Sequence, residues 1–315
     1  MKGRKEMELD FSRIIHYQTP LDHTALIDTV EALSSRYPFL GISYLGESIL
    51  GKKIPILTLG EGKKEILYIG AHHGMEWITS ILLLRFVNEF CELYSKGGSL
   101  YRTSLSFLWE KYTLSILPML NPDGVDYQIH GIDKDNPLYE RLIKMNDGSC
   151  DFSRWQANAR GVDLNHNYDA GFSAYKKIEK EAQIEQGAPT KYSGEAPESE
   201  PEVAYLCNYI RFHDDIRLIL TLHTQGKEIY YQSGEKTLAK SVPIARRIAA
   251  LSGYRLSNAS GTAAYGGLMD WCIQKMNLPC FTLECGKGEN PLPLSSYFPI
   301  YASLREIFFT VPKMV

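Results

Sequence analysis

Glu65-Ile66-Leu67-Tyr68-Ile69-Gly70, followed two residues later by His73-Gly74-Met75-Glu76, decides how the rest of the chain is read. The apolar run predicts a buried strand, and the stretch from about Trp77 to Tyr94 predicts a helix that ends at Gly97-Gly98. A strand end therefore delivers an imidazole and a carboxylate three residues apart, a spacing that lets both reach one divalent metal ion. H-x-x-E alone is common by chance. Its weight comes from a third candidate, His223, which ends a second apolar run, Leu218-Ile219-Leu220-Thr221-Leu222. Two His and one Glu leave the fourth position of a zinc ion open, the ligand count of a catalytic rather than a structural site.

Working outward, strands and helices alternate. Leu21 to Arg36 has helical spacing, and Ser43–Gly46 with Ile54–Leu59 predicts two strands joined at Gly51. Tyr112–Pro118 predicts a strand running into the turn Asn121-Pro122-Asp123-Gly124. From Pro122 to about Pro197 the chain is polar and irregular, and Lys176–Glu181 reads as a solvated helical face. An insertion of that length is uncommon unless it shapes a functional site. Pro201 opens a helix through Ile210. Strands follow at Ile216–Leu222, Glu228–Gln232 and Cys280–Glu284, with helices at about Ala239–Ser252, Gly267–Met276 and Ser296–Phe309. The expected fold class is α/β: one domain over residues 41–315, with a mixed, mostly parallel twisted sheet and helices on both faces. Residues 1–40 are expected to be an extension and first helix packed on that domain. In such sheets ligands sit at the carboxyl ends of strands, where His73 and His223 both fall.

A chain of 315 residues, 44% hydrophobic, can bury a large core. A net charge of −3 provides no field for nucleic acid or an anionic membrane, and no run of about 18 apolar residues is present to span one. Met1-Lys2-Gly3-Arg4-Lys5-Glu6 is not followed by the apolar core of a signal peptide, so a cytoplasmic location is expected. The six cysteines form no C-x-x-C pair and several lie in apolar runs, where a reduced thiol acts as a small hydrophobe. Sequence alone leaves the oligomeric state open.

Three further stretches carry chemistry. Glu284 ends the apolar strand Cys280-Phe281-Thr282-Leu283, where a buried unpaired carboxylate is expensive. Alone it reads as a polar strand exit; beside a metal it reads as a general base. Arg160-Gly161-Val162-Asp163-Leu164-Asn165-His166-Asn167-Tyr168 is dense in groups able to position a substrate, although alone it is a loop with an Asx turn. Gly261-Thr262-Ala263-Ala264-Tyr265-Gly266-Gly267 is a small-residue loop holding one phenol.

Taken in order, these residues resemble the zinc metallocarboxypeptidases of the carboxypeptidase A type. The family order of His-x-x-Glu, Asn-Pro-Asp-Gly, Gly-Val-Asp-x-Asn-x-Asn, a ligand His and a Glu base is matched here by His73–Glu76, Asn121–Gly124, Gly161–Asn167, His223 and Glu284. Trp271 also precedes Glu284 by the family's thirteen residues. The resemblance implies one Zn²⁺ held by His73, Glu76 and His223, with Glu284 taking a proton from the attacking water. It implies Asn165 as a substrate-carboxylate ligand and an arginine that polarises the scissile carbonyl. Arg154 and Arg160 both stand in the matching stretch, and Arg154 is preferred. Arg160, His166 and Tyr265 are expected to contact substrate, Tyr265 in place of the family's mobile tyrosine but about three residues out of register. His166 replaces the arginine that clamps a terminal carboxylate in digestive members, which weakens that clamp.

The run Asn158–Tyr168, with Ala264–Trp271, is similar to the bacterial branch that cleaves γ-D-glutamyl-diaminopimelate bonds in cell-wall peptides. The implied partner is a peptide or muropeptide, recycled or held in a spore compartment. The rival expectations are an ordinary exo-acting carboxypeptidase, an aspartoacylase-like deacylase, and a catalytically silent binding protein of the same fold.

Overall fold

The computed structural model describes residues 18–184, 186–259 and 264–315. Its main sheet has eight strands: β1 Gly41–Glu47, β2 Lys53–Leu59, β3 Lys64–Ile69, β4 Tyr112–Leu117, β5 Ile216–His223, β6 Glu228–Tyr230, β7 Arg255–Ser257 and β8 Cys280–Glu284. They lie in the order β1-β2-β4-β3-β5-β8-β6-β7. The four central strands β4, β3, β5 and β8 run parallel. Antiparallel pairing enters on both sides of that centre, where β1 meets β2, β2 meets β4, and β6 meets β8.

Continuous apolar runs form the central strands because both faces are covered. The two-residue side-chain period sorts each strand between two cores. Ile66 and Tyr68 of β3, Leu218, Leu220 and Leu222 of β5, and Phe281 and Leu283 of β8 enter one core. Helices α1 His23–Arg36, α2 Ile78–Ser95, α8 Ser241–Ser252 and α10 Tyr297–Thr310 cover that face. Leu67, Ile69, Ile219 and Cys280 enter the other core, against α7 Pro201–Phe212 and α9 Leu268–Trp271. Each fully buried side chain of this size contributes about 1.5–3 kcal/mol, so two-sided burial sets the strand order. The first helix shares the larger core through Leu26, Val30 and Leu33, while residues 1–17 lie outside the described residues. Among the described residues all six cysteines are free thiols, and no helix is long and apolar enough to cross a membrane.

The long polar connection is more ordered than its composition implies. Asn121-Pro122-Asp123-Gly124 starts a helix, α4 Pro122–His130, rather than ending in a turn. Asn121 Oδ1 accepts from Gly124 N at 2.9 Å, with Pro122 in the first helical position. An Asx turn and a capped first helical turn share that geometry, and the continuation decides between them. Short helices α3 Leu105–Lys111 and α5 Tyr139–Met145 were equally hidden, whereas α6 Phe172–Glu181 contains the helical face expected at Lys176–Glu181. The α6 face is not simply solvated. Glu179 is buried, accepting from Ser193 N at 2.5 Å and pairing with Lys176 Nζ at 2.7 Å. Tyr127, Leu142, Phe152 and Trp155 form a small third core that holds the connection together. The expected helix Gly267–Met276 is α9 continued as a π-helical turn over Cys272–Met276.

The connection is fastened to α7 through Asn158. Its Nδ2 donates to Glu200 Oε2 at 2.8 Å and reaches Glu202 Oε2 at 3.4 Å. Its Oδ1 accepts from Val162 N at 3.1 Å. Glu202 is wholly buried, and burial, reinforced by the Asp123 and Glu200 carboxylates, raises its carboxyl from 4.5 to about 8. The folded protein therefore holds that proton more tightly than the unfolded chain. The associated stability is complete below about pH 4.5 and is lost as pH rises through about 8. Urea unfolding should show wild type losing about 2–4 kcal/mol from this group between pH 5 and 8.5. Glu202→Gln should flatten that portion, and equal slopes in both proteins would acquit Glu202.

Candidate metal centre and cleft

The register of the central strands brings the candidates together. Glu284 of β8 lies directly beside His223 of β5, and β3, on the other side of β5, delivers His73 just beyond its end. After β3 the chain makes a single 3₁₀ turn, Gly74–Glu76, that swings Glu76 back under His73 before α2 begins. Thr79 latches that turn, donating to Glu76 O and accepting from Ala71 N, both at 2.8 Å. Gly74 is required by contact. A Cβ there would stand 2.3 Å from the Gly124 carbonyl oxygen and 2.8 Å from that of Trp155. Backbone thus packs on backbone, and Asn121 Nδ2 bridges the carbonyls of His72 (3.1 Å) and Gln156 (3.2 Å).

Glu76 stands between the two imidazoles, Oε1 3.0 Å from His73 Nδ1 and Oε2 3.0 Å from His223 Nδ1. The two Nδ1 atoms are 3.3 Å apart. All three side chains are buried, and Glu76 Oε2 takes no hydrogen bond among the described residues. Two nitrogen lone pairs and a carboxylate cannot share that space without a positive charge among them. Two Zn–N bonds of about 2.0–2.1 Å at a tetrahedral angle span about 3.3 Å, so the residues fit a zinc ion. The electrostatics agree. Burial opposes a charged His73, yet the Glu76 and Asp163 carboxylates outweigh it and hold its proton affinity well above the ordinary value. Burial also works against an ionised Glu76, and the two imidazoles overcome it, bringing the carboxyl down to about 2.

Asp163, to which the sequence reading assigned no role, completes the centre. Its Oδ1 lies 3.2 Å from His73 Nε2, and its Oδ2 accepts from Lys191 N (3.0 Å) and Gln156 Nε2 (3.2 Å). Such a carboxylate fixes the tautomer and direction of a metal-binding histidine. The available signal was the place of Asp163 inside the matched motif Gly161–Asn167. Glu284, in the same cleft, has its carboxyl pushed up to about 8, by desolvation first and then by the Glu76 carboxylate.

The cleft, about 260 Å³, is lined by the three candidate ligands and Glu284, together with Asn165 and His166. Asn165 Oδ1 accepts from Leu268 N at 3.1 Å, which leaves its amide nitrogen as the end for a ligand. His166 stacks on Tyr175 at 3.9 Å, and its Nδ1 meets the Tyr265 carbonyl at 2.9 Å. The other expected residues lie elsewhere. Arg154 is 74% exposed at the rim, 3.4 Å from an equally exposed Glu289. Arg160 is half-exposed, 3.7 Å from Glu200. Neither lines the cleft, and each guanidinium has a carboxylate within 4 Å outside it. The Tyr265 ring leans over Gly171, also away from the cleft, so this residue meets the site through its carbonyl. Residues 260–263 of its loop lie outside the described residues. Gln156, Thr190 and Lys191 line the cleft and were not anticipated.

Two variants test this construction. Asp163→Ala should weaken zinc binding about 10–100-fold in a chelator competition; unchanged affinity would mean that His73 is oriented without it. Gly74→Ala should cost about 1–3 kcal/mol in urea unfolding and lower zinc content, since backbone must move. Wild-type values for both would show that the contact yields.

The comparisons with known proteins agree with the geometry. The chain is 33% identical over 296 residues to gamma-D-glutamyl-L-diamino acid endopeptidase 1 of Lysinibacillus sphaericus, covering 94% of this chain and 73% of the relative. It is 30% identical over 290 residues to the uncharacterized protein YqgT of Bacillus subtilis, covering 91% and 76%. The crystal structure of thrombin activatable fibrinolysis inhibitor superposes on 95% of this chain and 74% of its own, with a TM-score of 0.70 at 21% identity, a likeness of fold. The zinc carboxypeptidase family model matches residues 26–306, and this chain belongs to that family of zinc peptidases.

Proposed function

We propose that this peptidase hydrolyses the amide joining the γ-carboxyl of D-glutamate to a diamino acid, diaminopimelate foremost, in cell-wall muropeptides. The observation that carries the reading is the state of His166. With Nδ1 donating to the Tyr265 carbonyl, Nε2 is left as an acceptor. Burial lowers the proton affinity of the ring, so it is neutral near pH 7. A neutral acceptor suits an ammonium or amide donor and repels an ordinary C-terminal carboxylate. Among the described residues no arginine lines the cleft, and Lys191 is its sole lysine. A substrate rich in scattered polar groups fits such a surface better than one that depends on a terminal clamp. The name of the Lysinibacillus relative, a γ-D-glutamyl-L-diamino acid endopeptidase, supports the same bond.

His73, Glu76 and His223 are the residues that would hold the metal, with Asp163 fixing His73. A bound zinc supplies Lewis acidity toward water and the scissile carbonyl. Glu284 accepts the proton of the attacking water and passes it to the leaving amine. Asn165 and His166 orient the departing diamino acid.

Glu284→Gln should retain zinc while losing about 10²–10⁴-fold in kcat; near-normal turnover would remove Glu284 from the role. Substrate is tested by mass analysis of products from γ-D-glutamyl-diaminopimelate peptides, unlinked C-terminal peptides and N-acyl amino acids offered side by side. Preference for either of the last two would overturn the muropeptide reading.

A further inference from the structure

Hydrolysis needs a donor aimed at the oxygen on which charge develops, beyond the metal itself. The two arginines of the expected stretch lie outside the cleft lining, Arg154 3.4 Å from Glu289 and Arg160 3.7 Å from Glu200. Two residues after Arg154, Gln156 lines the cleft beside the candidate ligands. Its backbone is pinned on both sides, with N donating to Pro189 O (2.9 Å) and O accepting from Gly74 N (2.9 Å) and Asn121 Nδ2 (3.2 Å). Its side chain is held as well. Nε2 donates to Asp163 Oδ2 at 3.2 Å, and Oε1 lies 3.2 Å from Thr190 Oγ1, whose one proton is shared with Asp163 Oδ2 at 3.4 Å. A carboxylate can only accept, so the amide is oriented with nitrogen toward Asp163. An NH₂ group carries two donors, and Asp163 takes one of them.

We propose that the second N–H of Gln156 is the oxyanion donor of this peptidase, a neutral amide doing the work the sequence reading gave to an arginine. Water oxygen adds to the scissile carbonyl carbon, Glu284 takes the water proton, and the carbonyl π pair moves onto oxygen. Gln156 donates to that oxygen as its charge grows. When the C–N bond breaks, the pair returns to re-form the carbonyl, and the proton on Glu284 leaves with the amine. Held at both ends, the amide needs no reorganisation when charge appears, which is the condition under which such a donor is effective. Lys191 also lines the cleft, but its side chain is exposed and its ammonium must lose rotamer freedom to serve.

The test is made on whichever amide wild type cleaves best, so failure of the γ-D-glutamyl reading leaves it intact. Gln156→Met keeps the shape and removes the donor, and Gln156→Ala is the second variant. The backbone bonds that hold this segment survive in both. At saturating zinc, kcat should fall about 10²–10³-fold with KM changed less than about threefold. Affinity of the zinc-loaded protein for a phosphinate analogue of the tetrahedral species should fall by a similar factor, read by calorimetry, independent of turnover. If kcat at saturating zinc stays at the wild-type value and only zinc affinity falls, Gln156 acts only by positioning His73 through Asp163, and the proposal is overturned. It is equally overturned if Lys191→Met or Arg154→Ala takes the kcat loss while Gln156→Met keeps its rate.

Discussion

The structure depends on keeping the Glu76 carboxylate and two imidazole nitrogens within about 3 Å of one another in a buried space. Buried charge and facing lone pairs oppose that arrangement, and removing one partner of such a group leaves the others uncompensated. The scaffold resists by rigidity. His223 sits in the central parallel sheet, locked by register to Glu284. His73 and Glu76 are held by a backbone turn that packs on another backbone turn at Gly74 and Gly124, with no side chain between to yield.

That rigidity is borrowed from the long connection between β4 and β5. Asp163 and Gln156 come from it, Asn158 anchors it to α7, and Trp155 belongs to its own small core. One wall of the cleft is thus built largely from a segment of polar composition, ordered by buried carboxylates that accept backbone N–H groups: Asp163 from Lys191, Glu179 from Ser193. Ordering by buried acceptors costs desolvation, seen in the raised carboxyl of Glu202, which accepts from Asn158. Burial itself keeps His166 neutral against the pull of Asp163, while Asp163 holds the Gln156 amide in the cleft.

What could be read along the chain and what could not divide by range. The apolar runs ending in His73, His223 and Glu284 were legible because a two-sided strand imposes its pattern on consecutive residues, and the strand ends mark the ligand side of the sheet. A mixed sheet was legible, with two strands joined at Gly51, but the antiparallel pairings of β2 with β4 and of β6 with β8 were not, since they join partners distant in sequence. The helix at Pro122–His130 was hidden because its capped start has the same local chemistry as a turn.

By itself the sequence determined the fold class, the family and the three residues that converge, because each rests on local pattern and motif order. Only the tertiary structure decided which polar side chains face the cleft. Arg154 and Gln156 are neighbours in sequence, yet one meets Glu289 at the rim and the other meets Asp163 beside the metal position. The direction of a side chain in irregular backbone follows from long-range partners, and no local spacing encodes them.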